Sequence, residues 1–506
     1  MRKSGIRCVT SSGHELARPL AGTARQGGRS RLSTLPRWSK IVFRSFAWTA
    51  AAAIVAVSLP PPGALAAAAS RGAVSGATVT VHLSGKGDGK LPARYLGLSF
   101  ESGSSVNTGR FNTVGNLPRL LDNLGAGVLR FGGASVDRTY VGASRSALAG
   151  LARLVRATGW HVNYSVNLGH FNAGRVAKDA RNVARALGRY LTAIACGNEP
   201  DDYAHHGLRS SSYTETDYLK EARVCIDAVR TGAPTARIAG PDTFHVSWLP
   251  SYAAAEKGTI SFLAEHYYPL NDCNGPTGTA ATLLSRAMAA KEASIIGEAA
   301  AAARIAGVPL LMTETNSAAC GGISGVSNAF ASALWAVDYV LTGAEHGAAG
   351  MDFHGYLTTR CSGYTPLCQT GTNRYKALPV YYGLLFTHLI GTGSLLRVDV
   401  RSASDIAAHA VRTANGTVRV VIENLSGAAE TVSLHAGNVT GSATELHLTG
   451  PSLAATSGVR IQGAEVRPNG SFTPGVASRL TCHLGLCQVP VGAYTAVIVT
   501  LPGHPR

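Results

Sequence analysis

Between residues 93 and 391 the sequence alternates repeatedly between strand-like and helix-like segments. Short apolar runs predict strands at 94–102, 127–133, 161–169, 191–200, 236–242, 260–269, 309–317 and 348–355. Helical patterns separate these runs, for example at 179–190, 281–306 and 329–346. Eight such strand–helix units over this length favour a closed (β/α)8 TIM barrel at 93–391 over an open doubly wound sheet.

The pattern changes after residue 392. Segments such as "TVRVVIENLS", "ATELHLTG" and "AYTAVIVTLP" alternate apolar and polar residues between turn residues. A period of two predicts an antiparallel β-sandwich over 392–506. The segment "ATVTVHLSG" has the same character, so we expect 77–92 to supply an N-terminal strand to the sandwich.

Residues 1–70 have the composition of an export signal. They hold ten Lys/Arg against one acidic residue, followed by the apolar run 46–59 and an alanine-rich segment with Ala-x-Ala sites. This order predicts a cleaved secretory signal peptide. The alternative, an uncleaved membrane anchor, is disfavoured because the run is shorter than the roughly 20 residues that a span requires. We therefore expect a secreted protein with possible cell-wall association and no stable membrane association after cleavage.

Charge and cysteine content fit this prediction. The chain has a net charge of +17, but residues 71–506 hold 36 Lys/Arg against 28 Asp/Glu, spread without clusters. We therefore expect no nucleic-acid partner. Eight cysteines follow Cys8, and an even number in an exported chain favours disulfides. Sequence proximity suggests Cys361–Cys368 and Cys482–Cys487, which would leave Cys273–Cys320 and Cys196–Cys225; the sequence does not fix this pairing.

Two of the predicted barrel strands end in glutamate. Glu199 comes after the fourth strand and Glu314 after the seventh, and these two strands face each other across a barrel mouth. Paired carboxylates about 5 to 5.5 Å apart suit retaining glycoside cleavage, with one as acid/base and the other as nucleophile. A lone glutamate at a strand end is more often a solvated or ion-paired residue, so the prediction depends on the pair.

The motifs "GNEP" and "TETNS", in order with "GLSFESG", "LRFGGASVD" and "HYYP", resemble glycoside hydrolase family 79, the β-glucuronidases and heparanase-like enzymes. The resemblance covers roughly residues 77 to 503. It implies a retaining exo-β-glucuronidase that acts on a glucuronide or acidic glycan without a cofactor or metal. Another β-glycoside as substrate, heparanase-like endo-cleavage and a non-catalytic glycan-binding protein are the alternatives.

The resemblance also implies roles for individual residues. Glu199 would be the acid/base and Glu314 the nucleophile. The substrate-binding candidates are Asn198 at the sugar 2-hydroxyl, Tyr268 or Tyr267 at the nucleophile, Arg130, Glu101, Asp137, His354, Gly321 and Tyr364. Two of these have an equally plausible alternative: Arg130 as a structural residue in the lower barrel, and Asp137 as a helix cap.

Recognition of the uronate carboxylate is expected from the loop after the nucleophile and from a tyrosine after the eighth strand. Here the loop is "SAACGGISG", with Ala319 at a position where an aromatic donor is expected. The backbone N–H of Gly321, the hydroxyl of Tyr364 and the side chain of Arg360 are the remaining donors. This departure affects the predicted sugar specificity more than the predicted mechanism. The sequence leaves the oligomeric state open.

Overall fold

The computed structural model describes residues 76–502 except 85, 86 and 88, so the predicted signal peptide lies outside the described residues. The first strands are β1 (Thr78–Val81), β2 (Lys90–Leu91), β3 (Leu96–Glu101), β4 (Val128–Gly132), β5 (His161–Val166), β6 (Leu191–Cys196), β7 (Ile238–Thr243), β8 (Phe262–Tyr267), β9 (Leu270–Asn271), β10 (Leu310–Thr315), β11 (Ala318–Ala319) and β12 (Ala348–Gly355). The later strands are β13 (Leu367–Gly371), β14 (Arg374–Ala377), β15 (Gly393–Leu396), β16 (Val398–Arg401), β17 (Ile406–Thr413), β18 (Val418–Asn424), β19 (Glu430–His435), β20 (Gly441–Thr449), β21 (Arg460–Ile461), β22 (Ser478–His483), β23 (Leu486–Val491) and β24 (Thr495–Thr500).

The α-helices are α1 (Ser102–Ser105), α2 (Leu117–Asn123), α3 (Ser135–Arg138), α4 (Arg145–Thr158), α5 (Ala173–Leu187), α6 (Glu215–Gly232), α7 (Leu249–Ala255), α8 (Ala280–Leu283), α9 (Arg286–Ala306), α10 (Phe330–Glu345) and α11 (Pro379–Ile390). In the described residues, no helix is both long and apolar enough to cross a bilayer.

Eight parallel strands close into a barrel in the order β3-β4-β5-β6-β7-β8-β10-β12, and β12 pairs back with β3. The predicted (β/α)8 barrel is therefore confirmed. Each of the eight predicted apolar runs overlaps one barrel strand; seven contain their strand completely, and β7 ends at Thr243, one residue beyond its predicted run. Six of the eight runs extend past the end of their strand into the loops at the carboxyl ends, where the polar residues lie.

Local sequence signals set the helix limits around the barrel. Helix α4 begins after Ser144, whose side chain accepts a hydrogen bond from the Ala147 N–H, and ends at Gly159 in the left-handed conformation. Helix α6 begins with a capping box in which Thr214 and Asp217 satisfy each other's backbone N–H groups. These caps fix where each helix starts and ends, and therefore the lengths of the loops at the barrel mouth.

The remaining large sheet has twelve strands in the described residues, mostly antiparallel, in the order β16-β1-β19-β23-β22-β20-β24-β18-β17-β15-β2 with β21 beside β20. It curls around its own apolar core, which includes Val420, Ile422 and Val497. The alternate residues, among them Val421, Ala496 and Ile498, belong to the core that is continuous with the barrel and its helices. One face of the sheet therefore packs against the barrel, as the period-two pattern requires. Strand β1 pairs with β16 and β19 and so lies in this sheet.

Four disulfides link Cys196–Cys225, Cys273–Cys320, Cys361–Cys368 and Cys482–Cys487. This is the pairing that sequence proximity suggested. The first ties β6 to α6, and the second lies at the barrel mouth.

Candidate active site

The residue Glu199 leaves β6 in an unusual backbone conformation. Its φ and ψ are 50° and 58°, a left-handed conformation that is uncommon for residues other than glycine. Its N–H donates to the Asp242 carbonyl at 2.7 Å, and Pro200 begins a 3-10 turn immediately afterwards. The contact across to β7 and the proline together hold the Glu199 side chain at the carboxyl end of the barrel.

Glu199 and Glu314 meet at this end. One oxygen of each carboxylate and one ring nitrogen of His266 lie within 4.8 Å of one another. The Glu199 side chain is 20% exposed and that of Glu314 is 9% exposed, so the first is the more accessible from the mouth. This oxygen–oxygen distance of at most 4.8 Å is shorter than the roughly 6.5–9.5 Å between the carboxyl groups of inverting glycosidases.

Arg130 on β4 forms hydrogen bonds both to Glu314 and to Asn198, the residue before Glu199. Its Nη1 donates to Glu314 Oε2 at 2.5 Å, and its Nη2 donates to Asn198 Oδ1 at 2.8 Å and to Asp242 Oδ2 at 3.3 Å. A guanidinium only donates, so Asn198 must turn its carbonyl oxygen toward Arg130 and present its NH2 group elsewhere. Of the two interpretations of Arg130 that the sequence left open, the structure supports the one in which it contacts the nucleophile candidate.

The surroundings of the two glutamates shift their pKa values in opposite directions. Burial raises the pKa of Glu314, but the neighbouring His354, His266 and Arg130 side chains lower it to about 2. Burial also raises the pKa of Glu199; its contacts with His266 oppose this shift, and the nearby charge of Glu314 adds to it, so the net direction is upward. One carboxyl group is therefore held ionised and the other is biased toward its protonated form.

His266 and Asp242 are site residues that were not predicted from the sequence. His266 on β8 lies with Nδ1 2.9 Å from Glu199 Oε1 and with Nε2 3.7 Å from Asp242 Oδ1. Burial and Arg130 lower the pKa of His266, but its contacts with the carboxylates of Asp242 and Glu199 outweigh them and raise it to about 10. Despite burial, Arg130 and His266 hold the pKa of Asp242 well below its usual range.

Of the two adjacent tyrosines at the end of β8, only Tyr268 reaches the site. Its hydroxyl donates to Glu314 Oε1 at 2.9 Å. The ring of Tyr267 packs 6.4 Å from that of Tyr339 outside the barrel, and its buried hydroxyl has no partner among the described residues. Tyr267 is therefore not at the candidate site, because successive residues of a strand point to opposite faces.

His354 and Glu101 line the same end of the barrel. His354 on β12 places Nδ1 3.1 Å from Ser99 Oγ and 3.5 Å from Glu314 Oε2. Glu101 ends β3 and accepts a hydrogen bond from the Ser135 N–H at 2.9 Å. Both side chains are thus fixed by contacts within the barrel end, and Glu101 stays partly exposed.

Asp137 is placed differently from either sequence interpretation. It lies inside α3 and is 1% exposed. Its carboxylate accepts four hydrogen bonds, from the N–H groups of Leu168, Gly169 and Asn198 and from the Tyr203 hydroxyl. A carboxylate has about four acceptor sites, so none remains for a sugar hydroxyl. Asp137 supports the loop after β5 and the backbone of Asn198 instead.

The loop after β10 is held beside the site. Strand β11 pairs with β9, and the Cys273–Cys320 disulfide joins the same two loops. Gly321 has a φ of 99°, and its carbonyl accepts a hydrogen bond from the N–H of Tyr364 at 3.3 Å.

The side chains of Tyr356, Arg360 and Tyr364, which can all donate hydrogen bonds, lie around this loop. The Tyr364 hydroxyl lies 2.9 Å from that of Tyr356, and the Tyr364 ring lies 5.9 Å from that of Tyr268. The exposed Arg360 stacks over Tyr356 at 5.4 Å. The structure thus brings Gly321, Tyr364 and Arg360, the three predicted carboxylate donors, into one loop cluster.

Comparison with known proteins is consistent with this geometry. No protein-family model matches the chain. Over 255 residues it is 28% identical to a beta-glucuronidase from Aspergillus niger; the aligned region is 45% of this chain and only 46% of that relative. Less than half of the relative's length is therefore covered.

Solved structures share the fold. A 4-O-alpha-L-rhamnosyl-beta-D-glucuronidase from Fusarium oxysporum superposes with a TM-score of 0.71 at 20% identity and covers 83% of this chain and 100% of its own. A GH51 arabinofuranosidase from Xanthomonas axonopodis pv. citri superposes with a TM-score of 0.65 at 14% identity, over 84% of this chain and 100% of its own. At these identities the likeness shows the barrel with its attached sheet, and no more.

Proposed function

We propose that this protein is a secreted, retaining exo-β-glucuronidase of glycoside hydrolase family 79. The observation that carries the proposal is the pair Glu199 and Glu314: two carboxylates within 4.8 Å whose surroundings bias them toward opposite protonation states. A pair of titratable groups with diverging pKa values identifies the acid and the nucleophile. The similarity to the Aspergillus niger beta-glucuronidase supports the choice of sugar.

The reaction would proceed by double displacement. Protonated Glu199 gives its proton to the glycosidic oxygen while ionised Glu314 attacks the anomeric carbon, so the aglycone leaves as an alcohol and a glycosyl ester forms. Glu199, now ionised, takes a proton from water, which attacks the same carbon and releases Glu314. The sugar leaves with its original anomeric configuration.

Neighbouring side chains would hold the reacting groups. Tyr268 and Arg130 each bind one oxygen of Glu314, which fixes the carboxylate plane for attack. The NH2 group of Asn198, freed by the bond of its carbonyl to Arg130, is available for the sugar 2-hydroxyl. Such a bond strengthens in the transition state.

The loop cluster of Gly321, Tyr364 and Arg360 is the proposed site for the uronate carboxylate. A buried carboxylate requires hydrogen-bond donors, and this cluster offers a hydroxyl and a guanidinium within one loop region. Ala319 contributes no donor there.

Export is supported by the four disulfides, which persist in oxidising compartments.

The decisive experiment combines two glutamate variants with a substrate panel. On an aryl β-glucuronide, Glu199→Ala and Glu314→Ala are each expected to lose at least about a thousandfold in kcat. Added azide should yield the β-glycosyl azide with Glu199→Ala and the α-glycosyl azide with Glu314→Ala, which assigns the two roles separately. The control is Glu298→Ala, at an exposed position on α9.

Near-wild-type turnover in either variant would overturn the assignment. The panel compares aryl β-glucuronide, glucoside, galactoside and xyloside on the wild-type protein. Preference for a neutral glycoside would retain the mechanism and reject the sugar. Proton NMR of the first product tests retention, and product sizes from an acidic oligosaccharide distinguish exo- from endo-cleavage.

A further inference from the structure

A second cluster of titratable side chains lies between helix α10 and the curled sheet, away from the barrel mouth. Asp338 and Glu345 are seven residues apart on α10 and so share one face of the helix. His409 on β17 lies between them: its Nδ1 is 2.8 Å from Glu345 Oε1, and its Nε2 is 2.8 Å from Asp338 Oδ1. Glu423 on β18 completes the cluster.

The strand register puts His409 and Glu423 on the same side of the sheet. In the antiparallel β17–β18 pair, His409 lies opposite Val421 and Ala407 lies opposite Glu423. Val421 and Ala407 belong to the core that is continuous with the barrel, so this is the face that meets α10. The two side chains are diagonal neighbours on that face, within reach of one another.

Glu423 is the unusual member. It is fully buried, and neither of its carboxylate oxygens has a hydrogen-bond partner among the described residues. One of these oxygens lies within 4.8 Å of both a His409 ring nitrogen and an Asp338 oxygen, so the carboxylate is directed into the cluster. In the described part of the chain, no lysine or arginine forms an ion pair with Asp338, Glu345 or Glu423. A buried carboxylate without donors is costly unless something charged compensates it.

We propose that Asp338, His409 and Glu423 bind one divalent cation of the zinc class and that this ion joins the sheet to the barrel. One imidazole and two carboxylates are a ligand set that Zn²⁺ accepts, with a water completing four-coordination. Glu345 has the position of the outer-shell carboxylate that accepts the other ring N–H of a metal-bound histidine. That hydrogen bond directs the Nε2 lone pair toward Asp338 and Glu423.

The geometry requires only small adjustments. Ligand atoms around a tetrahedral ion with bonds of about 2.1 Å lie about 3.4 Å apart. His409 Nε2 and Asp338 Oδ1 would therefore separate by about half an ångström. The Glu423 oxygen lies within 4.8 Å of a ligand atom of each of these residues, so it would move inward by at most about 1.4 Å. The competing arrangement uses protons instead: a protonated His409 bonded to Asp338 and Glu345, with Glu423 carrying its own proton. The site is separate from the proposed catalytic centre and does not depend on it.

The test compares metal content and thermal stability in wild type and Glu423→Gln. The full chain is stripped with a chelator, exchanged into metal-free buffer and titrated with Zn²⁺. We expect wild type to retain about one equivalent more zinc than Glu423→Gln, and its Tm to rise by about 3 °C or more where the variant's does not. The matched control is Glu445→Gln, because Glu445 on β20 is also buried with an unpartnered oxygen; it should behave as wild type.

The exposed group Asp202, His205 and His206 also has the spacing of a cation site. All proteins are therefore compared in a His205→Ala/His206→Ala background. Equal zinc content and equal Tm response in wild type and Glu423→Gln would overturn the proposal in favour of the protonated arrangement. If Glu423→Gln does not fold, Asp338→Asn, at the edge of the cluster, repeats the comparison. Failure of stripped wild type to take up any Co²⁺ with a tetrahedral visible spectrum would also overturn it.

Discussion

Replacing His266 by asparagine tests whether this histidine sets the protonation of Glu199. The amide N–H of the introduced asparagine would occupy the place of Nδ1 and could still donate to Glu199, but it carries no charge. Since the His266 contacts oppose the upward pKa shift of Glu199, removal of the positive charge should raise that pKa further. The acid must be protonated to act, so activity should persist to higher pH in the variant.

The size of the effect follows from the 2.9 Å distance between His266 Nδ1 and Glu199 Oε1. Two unit charges at that distance interact by about 6 kcal/mol at an effective dielectric constant of about 20. If only a quarter of this interaction is lost, the change is about 1.4 kcal/mol, which corresponds to one pH unit. The loss of the partner to Asp242 adds to the effect, because another negative charge is then left nearby. We therefore expect the alkaline limb to move up by at least about one pH unit.

The assay is kcat/KM against pH for an aryl β-glucuronide with a poor leaving group, such as phenol, so that proton donation matters in the transition state. The acidic limb, governed by Glu314, should also move up from its low starting point, because His266 contributes to the low pKa of that carboxyl. His346→Asn, at an exposed histidine far from the site, should leave both limbs unchanged. An alkaline limb that stays in place or moves down in His266→Asn would refute the electrostatic assignment of Glu199.

Three further changes probe the support of the site. Tyr268→Phe should lower kcat/KM by about 10-fold to 100-fold, because a hydrogen bond to a charged group contributes about 1.5–3 kcal/mol; Tyr267→Phe, whose hydroxyl has no partner in the described structure, should not. Asp137→Asn should lower both Tm and kcat, since an amide cannot accept all four hydrogen bonds; thermal unfolding and initial rates measure the two losses. Cys273→Ser with Cys320→Ser should raise KM for the glucuronide more than it lowers kcat, measured by steady-state kinetics, because the loop beside the site loses its cross-link.

Each of these three predictions would be contradicted by a different result. Equal losses in the two tyrosine variants would mean that bulk packing, and not the bond to the carboxylate, carries the effect. An Asp137→Asn protein with unchanged Tm would contradict the buried network. If removal of the Cys482–Cys487 disulfide raised KM as much as removal of the Cys273–Cys320 disulfide, the loop argument would be wrong.

The eight barrel strands could be predicted because a parallel sheet buried on both faces leaves continuous apolar runs in the sequence. The alternation of side chains along β8 also explains why Tyr268 and not Tyr267 reaches the site: Tyr268 points in the same direction as His266, and Tyr267 points the opposite way. Because residues two positions apart on a strand point the same way, the inward direction of Tyr268 also identifies His266 as an inward-pointing residue. The sequence alone does not single it out, because a histidine inside an apolar strand is more often a satisfied core residue.

Asp242 and Asp137 could not have been placed in this way. Asp242 has a φ of 60°, so the regular alternation of β7 no longer holds at that residue. Asp137 accepts hydrogen bonds from loops 31 to 66 positions away in the sequence, and no local pattern encodes those partners. Both depend on how separate loops meet at the barrel mouth, which strand periodicity does not determine.

The charges around the two glutamates also explain how one residue could serve both steps of the proposed reaction. With Glu199 protonated, the two cations Arg130 and His266 offset the two anions Asp242 and Glu314. Loss of the Glu199 proton would leave one uncompensated negative charge, which is unfavourable in a desolvated site. Once Glu314 is esterified its charge is gone, and the balance is restored only if Glu199 is ionised. The pKa of Glu199 should therefore fall when the glycosyl ester forms, and the residue that donated a proton becomes the base that activates water.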